Sequence, residues 1–187
     1  MPDLILASQS PRRKQLLQWA EVPFEVVVSD ADESFPAGLP PEEVAVYIAR
    51  QKALAVEGRH PGRLVLAADT IVVLGDDIIG KPTDRADAVS ILSRLSGNSH
   101  RVITGVVLRD GDREHSFADI TEVDFHLLTE AQIVYYVDQY KPYDKAGAYA
   151  IQEWIGVVGI KGVKGDFYNV MGLPVSRVVQ ALREFSQ

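Results

Sequence analysis

Chemistry first shows in the chain at Ser8-Gln9-Ser10-Pro11-Arg12-Arg13-Lys14. The apolar run Leu4-Ile5-Leu6-Ala7 reads as a buried strand and delivers the chain to this segment. Ser10 suits a helix N-cap and Pro11 the first helical position. A strand that feeds a helix N-terminus aims unpaired N–H groups and the positive end of the helix dipole at the turn between them, a place for an anion. Arg12 and Arg13 fall in the first helical turn, where a cation opposes the dipole at a cost of about 0.3–1 kcal/mol each at low salt. A phosphate chain would offset that cost. A capped surface helix with two solvated arginines accounts for the same residue types, and both readings stand at this level. The segment is not a Walker A loop, because the glycines before Lys-Ser/Thr are missing.

Carboxylates and lysines further along could complete a phosphate chemistry. Asp69 and Thr70 follow the apolar run Leu64-Val65-Leu66-Ala67-Ala68, and α/β folds place ligands at the ends of buried strands. There Asp69 could hold Mg²⁺ or take a proton from water, or it could merely turn the chain. Glu33, in the acidic stretch Ser29 to Ser34, could share a metal with Asp69 or belong to a solvated loop. Lys52 shares a helix face with Ala45, Ala49 and Val56, so it either snorkels or points into a site. Lys81, after Ile78-Ile79-Gly80, could neutralise a β- or γ-phosphate or lie on the surface. His60, His100, His115 and His126 have no metal spacing and receive no role. Carboxylates, lysines and arginines without Cys or His suit phosphoanhydride hydrolysis, which depends on metal, positioning and charge stabilisation.

The elements that must position these residues alternate between helix and strand, predicting a mixed α/β fold. The first helix runs to about Ala20, with Leu16, Leu17 and Ala20 inward. A strand is expected at Phe24 to Val28, a loop at Ser29 to Gly38, and a helix over Pro41 to Glu57 striped by Val44, Ile48 and Ala55. The strand Leu64 to Ala68 leads into Asp69. Ile71 to Leu74 and Ile78-Ile79 flank a hairpin turn at Gly75. A helix covers Asp84 to Leu95 and a strand Val102 to Leu108. Thr121, Val123, Phe125 and Leu127 alternate with polar residues as a half-exposed strand. Thr129 caps a helix with Gln132 in the capping-box position. Short strands and turns fill Gly147 to Gly165, and a last helix from Pro174 buries Val175, Val178, Leu182 and Phe185.

Composition bounds the function. With 187 residues, 47 % apolar and 24 % charged, the chain suits one globular domain over 1–187. It has no cysteine, so disulfides, thiolate zinc sites and cysteine nucleophiles are excluded. The net charge of −7 argues against broad phosphate-backbone binding of nucleic acid, though not against a small anion that meets a local positive site. The N-terminus lacks a basic stretch ahead of an apolar run, and no apolar stretch approaches the roughly 20 residues needed to cross a bilayer. A cytoplasmic protein without membrane contact is expected.

The motifs together go further. Leu4 to Arg13, Ala68-Asp69-Thr70-Ile71-Val72, Gly80-Lys81-Pro82, Leu95-Ser96-Gly97 and Thr104-Gly105-Val106 resemble the signatures of the Maf family, in order. So do Asp144 to Gln152 and Gly165 to Pro174. The resemblance implies a nucleoside triphosphate pyrophosphatase that uses Mg²⁺ or Mn²⁺ to release a nucleoside monophosphate and pyrophosphate. It implies two lobes around a central cleft, a mixed twisted sheet with flanking helices, and a fold related to inosine triphosphate pyrophosphatases. By position, Asp69 would be the proton acceptor. Ser8, Arg12, Arg13, Lys52 and Lys81 would hold phosphates, and Glu33 would help with metal or water. Arg12, Thr70 and Gln152 match positions tied to substrate choice. The Asp144–Gln152 segment is similar to the branch acting on dTTP and UTP. Some members have an acidic residue where this chain has Gly80, so no metal ligand is placed there. The resemblance also implies a homodimer and a link to division arrest and nucleotide cleansing. Two alternatives stand beside it: the same chemistry on 7-methyl-GTP or another modified purine, or a non-catalytic nucleotide- or nucleic-acid-binding regulator of division.

Overall fold

The computed structural model describes residues 4–185. Along the chain come β1 (Ile5–Leu6), α1 (Pro11–Trp19), β2 (Glu25–Val26), α2 (Pro41–Glu57), β3 (Val65–Leu74), β4 (Asp77–Ile79) and α3 (Arg85–Leu95). There follow β5 (Ser99–Asp110), β6 (Arg113–Phe125), α4 (Glu130–Tyr140), a 3-10 turn (Ala146–Ala148), α5 (Trp154–Gly159), β7 (Ile160–Lys164), α6 (Phe167–Met171) and α7 (Val175–Phe185). The strands form one mixed sheet in the order β2-β1-β3-β5-β6-β7, with β4 on β3. The chain divides into two compact units. One holds residues 4–70, 104–119 and 172–185, and the other Ile71–Ile103 and Ile120–Met171.

In the first unit β1 pairs in parallel with both β2 and β3, with Ile5 level with Glu25 and Val65, and Leu6 level with Val26 and Leu66. The chain leaves β1 toward β2 and returns past it to β3, so strand order reverses at β1. Right-handed crossovers then require α1 and α2 on opposite faces of the sheet. The strand expected at Phe24–Val28 shrinks to two exposed residues, Glu25 and Val26, as suits a sheet edge. Helix α2 has the expected bounds and buries Val44, Ala45, Ile48, Ala49, Ala53 and Val56. Ala49, Ala53 and Val56 pack with Ile5, Ala7, Val65, Ala67 and Val107. Ala55 is only half-buried, because the buried stripe runs through Ala53 and Val56 on either side of it. Strand β5 passes so close beneath α2 that a Cβ on Gly105 would lie 2.3 Å from the backbone of Ala45 and Val46. An ion network fastens α2 to the β5–β6 hairpin. Arg109 bonds Glu57 at 2.9 Å and Glu114 at 2.6 Å, and Arg50 bonds Glu114 at 2.8 Å. In α7, Val178 and Ala181 are buried while Val175, Leu182 and Phe185 are half-buried, so the inward face is narrower than expected.

In the second unit the expected hairpin pairs Val72 with Ile79 and Val73 with Ile78, turning at Gly75 with φ +62°. Asp84 caps α3 by accepting from the Asp87 N–H at 2.8 Å. The Thr129–Gln132 capping box forms in both directions at the head of α4, and α3 packs on α4. Strand β6 ends at Phe125, because the chain there turns to close bonds with Gly159 and Asn98. Leu127, expected on the inward face of that strand, is therefore outside it and 84 % exposed. The short helices α5 and α6 were not expected. Asn169 anchors α6 by donating to the Val102 carbonyl at 3.1 Å and to Thr121 Oγ1 at 3.0 Å. No helix among the described residues is long and apolar enough to cross a membrane.

Candidate active site

The turn after β1 forms as the capping residues dictate. Ser10 caps α1, its hydroxyl accepting from the Arg13 N–H at 3.4 Å, and Pro11 opens the helix. Continuing the β1–β3 register sets Ser8 level with Ala68, one residue before Asp69. Asp69 itself is not at a strand end: β3 runs unbroken through Asp69 and Thr70 to Leu74. Its parallel partner β1 stops at Leu6, however, so Asp69 still lies just past the carboxyl end of that partner, where strand order reverses. Such a switch point is where open α/β sheets place ligands.

Successive strand side chains point to opposite faces, and Asp69 and Thr70 use both. Asp69 meets α2. Its Oδ1 accepts from Lys52 Nζ at 2.8 Å, and Lys52 Nζ also reaches Glu33 Oε1 at 2.9 Å. Lys52 and Asp69 are 14 % and 13 % exposed, whereas Glu33 is 51 % exposed. The Lys52–Asp69 pair is therefore the strongly coupled arm, and the Glu33 arm is screened by water. Small residues explain how the lysine gets there: Ala45 and Ala49 on the same face let α2 lie close to the sheet. Glu33 is carried by a loop in which Asp32 accepts from both the N–H and the hydroxyl of Ser34, at 3.0 and 2.6 Å.

Thr70 meets α1. Its Oγ1 accepts from Arg13 at 2.9 Å and lies 2.8 Å from Thr104 Oγ1. Arg13, 8 % exposed, also donates from Nε to the Gly172 carbonyl at 2.8 Å and to Ser8 Oγ at 3.4 Å. Burial lowers the Arg13 pKa from its ordinary value, and the Asp69 carboxylate pulls it back up. Ser8 is buried, and its Oγ further accepts from the Ser10 N–H at 3.1 Å. Arg12 is half-buried beside it, and Lys14 is exposed.

The structure thus brings together Ser8, Arg13 and Thr70 on one side of β3, and Glu33, Lys52 and Asp69 on the other. Lys81 and Gln152 belong to the second unit, and both are exposed there. Thr104 and the Gly172 carbonyl were missed. Both fall inside motifs that carry the family resemblance, but neither has a charge or a titratable group, so a search for chemistry passes over them. As to a cation, Glu33 and Asp69 already converge on one ammonium, so their oxygens are disposed to share a positive centre. No group of three or more carboxylate or histidine side chains among the described residues could hold a metal by itself. Two carboxylates completed by substrate oxygens and water is the usual arrangement for Mg²⁺.

Fold and site define an α/β protein with a charged switch point, a helix N-terminus on one side of it and an acid–lysine pair on the other. Residues 3–185 match the family model described as Maf-like protein, and the chain belongs to that family. A dTTP/UTP pyrophosphatase of Cytophaga hutchinsonii is 50 % identical over 97 % of this chain and 84 % of its own. One of Bacteroides thetaiotaomicron is 48 % identical over 97 % and 95 %, and one of Bacillus velezensis 46 % identical over 98 % and 96 %. Among solved structures, the Staphylococcus aureus Ham1 protein shares the fold, with a TM-score of 0.53 at 13 % identity over 99 % of this chain and all of that one.

Proposed function

We propose that this protein is a nucleoside triphosphate pyrophosphatase acting on dTTP and UTP, with Asp69 as its proton acceptor. The observation that carries the reading is the placement of the Lys52–Asp69 pair at the switch point, across β3 from the capped N-terminus of α1. The names of relatives at 46–50 % identity over nearly the whole chain support the substrate class.

The chemistry follows from the side chains. Lys52 occupies Oδ1 of Asp69, which leaves Oδ2 to accept a proton from water. The water oxygen attacks the α-phosphorus, the bond from that phosphorus to the bridging oxygen breaks, and pyrophosphate leaves with the bond electrons. Lys52 holds the carboxylate in place and counters negative charge as it grows. Ser8, Arg12 and Arg13 form the phosphate-side wall, together with the N–H groups that open α1. Lys81 is proposed as a further phosphate contact. Gln152 is proposed to read the pyrimidine edge, since an amide both donates and accepts. Mg²⁺ or Mn²⁺ would be held by Asp69, Glu33 and phosphate oxygens, and when bound it would supply charge neutralisation.

The test is pyrophosphate release from a panel of triphosphates, 7-methyl-GTP included, with added Mg²⁺ or Mn²⁺. The wild-type protein should prefer dTTP and UTP. Asp69→Asn should lose at least about 1000-fold in kcat, on the scale seen when a catalytic acid–base group is removed, while unfolding at nearly the wild-type temperature. Full activity in Asp69→Asn would remove the proton-acceptor assignment.

A further inference from the structure

Arg12 and Arg13 are adjacent and equally charged, yet Arg12 is half-buried and Arg13 almost fully buried. Three of Arg13's donors are committed, each to a neutral oxygen from a separate stretch of chain: Ser8 Oγ before α1, Thr70 Oγ1 on β3, and the Gly172 carbonyl before α7. Two of its five N–H groups remain, one on each Nη, but at 8 % exposure the residue offers phosphate little access. We propose that within the phosphate-side wall Arg13 is a positioning residue for the hydrolysis rather than a ligand of the triphosphate, which leaves the direct contact already proposed for this pair to Arg12. This rests on the reading of the site as a triphosphate pyrophosphatase.

Two consequences of the hydrogen-bond inventory give the inference content. A hydroxyl has two acceptor lone pairs and one hydrogen. Ser8 Oγ receives the Ser10 N–H and an Arg13 N–H, so both lone pairs are filled and the hydroxyl is left to donate. A group forced to donate suits a phosphate oxygen and rejects a competing N–H or cation. Thr70 is the second consequence. Its Oγ1 takes the Arg13 N–H, pairs with Thr104 at 2.8 Å, and lies 3.4 Å from the Gly172 carbonyl. Its bonding capacity is spent within the protein. Because Thr70 directly follows Asp69 on an extended strand, fixing Thr70 on one face fixes how Asp69 is presented on the other. The Thr70 position then bears on catalysis through the Arg13–Thr70–Thr104 chain rather than by touching the nucleotide.

Steady-state dTTP hydrolysis and calorimetric binding of Mg-pyrophosphate separate positioning from ligation. Arg13→Lys keeps the charge but cannot span three acceptors. It should lose about 100-fold in kcat, the scale of a catalytic group misplaced by about 1 Å, with KM and the pyrophosphate Kd within about threefold of wild type. Arg12→Ala should do the reverse, raising KM and Kd at least about tenfold. Thr104→Val, which removes the hydroxyl 2.8 Å from Thr70 Oγ1, should lower kcat about tenfold and leave KM unchanged. Wild-type kcat in Arg13→Lys, or a rise in Kd equal to that of Arg12→Ala, overturns the assignment. Should Arg13→Lys fail to fold, unchanged kcat in Thr104→Val overturns it instead. A wild-type protein that releases no pyrophosphate from any triphosphate overturns the parent reading, an outcome distinct from any pattern among the variants.

Discussion

At the residue scale, burial decides what a titratable group does. His100 is 2 % exposed, stacked on Phe125 at 5.6 Å and bonded through Nε2 to the Tyr149 hydroxyl at 2.6 Å. Its Nδ1 has no partner. Desolvation lowers its pKa to about 4, against a smaller upward pull from Asp124. The native state therefore disfavours a proton that the unfolded chain accepts near pH 6.5. Below that value the unfolded state binds more protons, so stability falls with pH until about pH 4, where the native ring titrates as well. The full loss is on the order of 3 kcal/mol. We expect the unfolding temperature to drop between pH 7 and pH 4.5, and His100→Gln, which can still bond Tyr149, to flatten that drop. Carboxylates contribute the same acid sensitivity to both proteins, so the difference between the two curves isolates His100. Parallel curves would place the acid sensitivity elsewhere. The same logic of burial separates Arg13 from Arg12, and Lys52 from an ordinary helix-surface lysine.

At the element scale, the site depends on how closely α2 lies on the sheet. Gly105 on β5 sits against the helix backbone at Ala45 and Val46, and Lys52 is two turns further along the same face. A methyl group at 105 would lie 2.3 Å from backbone atoms, which cannot rotate aside. Gly105→Ala should therefore cost at least about 3 kcal/mol, at the upper end for overpacking. It should also lower turnover by lifting Lys52 from Asp69. Denaturant unfolding and dTTP hydrolysis would show both, and a variant with wild-type stability would mean that α2 can slide. Much of α2 was legible in the sequence: its bounds, its Pro41 start, and the placement of Lys52 with Ala45, Ala49 and Val56. So were the Ser10 cap and the Thr129–Gln132 capping box, because capping is local chemistry. The unbroken course of β3 was not legible, since Asp69 and Thr70 interrupt its apolar run and only their partners on both faces keep the strand going. Helix α5 was hidden too, because Ile155, Val157 and Val158 between glycines read as strand. That turn is fixed by the close approach of Gly156 to the Ile151 carbonyl, which no local pattern announces. Of the site, the charged members could be named from residue type and resemblance. The neutral ones, Thr104 and the Gly172 carbonyl, acquire meaning only through what they touch.

At the scale of the whole molecule, the proposed site asks an acidic protein of net charge −7 to bring a polyanion up against two carboxylates. Lys52 already lies between Glu33 and Asp69, so one cation is built in. A phosphate chain arriving there adds negative charge that this lysine alone does not balance. A divalent cation is the natural complement, yet the described residues offer no cluster of three acidic or histidine ligands to hold one unaided. Metal and phosphate should therefore bind together, each supplying what the other lacks. Thermodynamic linkage requires the effect to be reciprocal: whatever factor pyrophosphate adds to the metal affinity, the metal adds to the affinity for pyrophosphate. We expect calorimetry to show weak Mg²⁺ or Mn²⁺ binding to the protein alone, strengthened at least about tenfold by pyrophosphate, within the usual range of coupling between sites. Glu33→Gln and Asp69→Asn should each reduce that coupling, Asp69→Asn more, because Asp69 is the less exposed of the two. A chelator should abolish turnover, and added metal should restore it. Tight metal binding without pyrophosphate would point to a ligand set other than Glu33 and Asp69. Turnover that survives the chelator would leave Lys52 and the N-terminus of α1 to balance the phosphate charge by themselves.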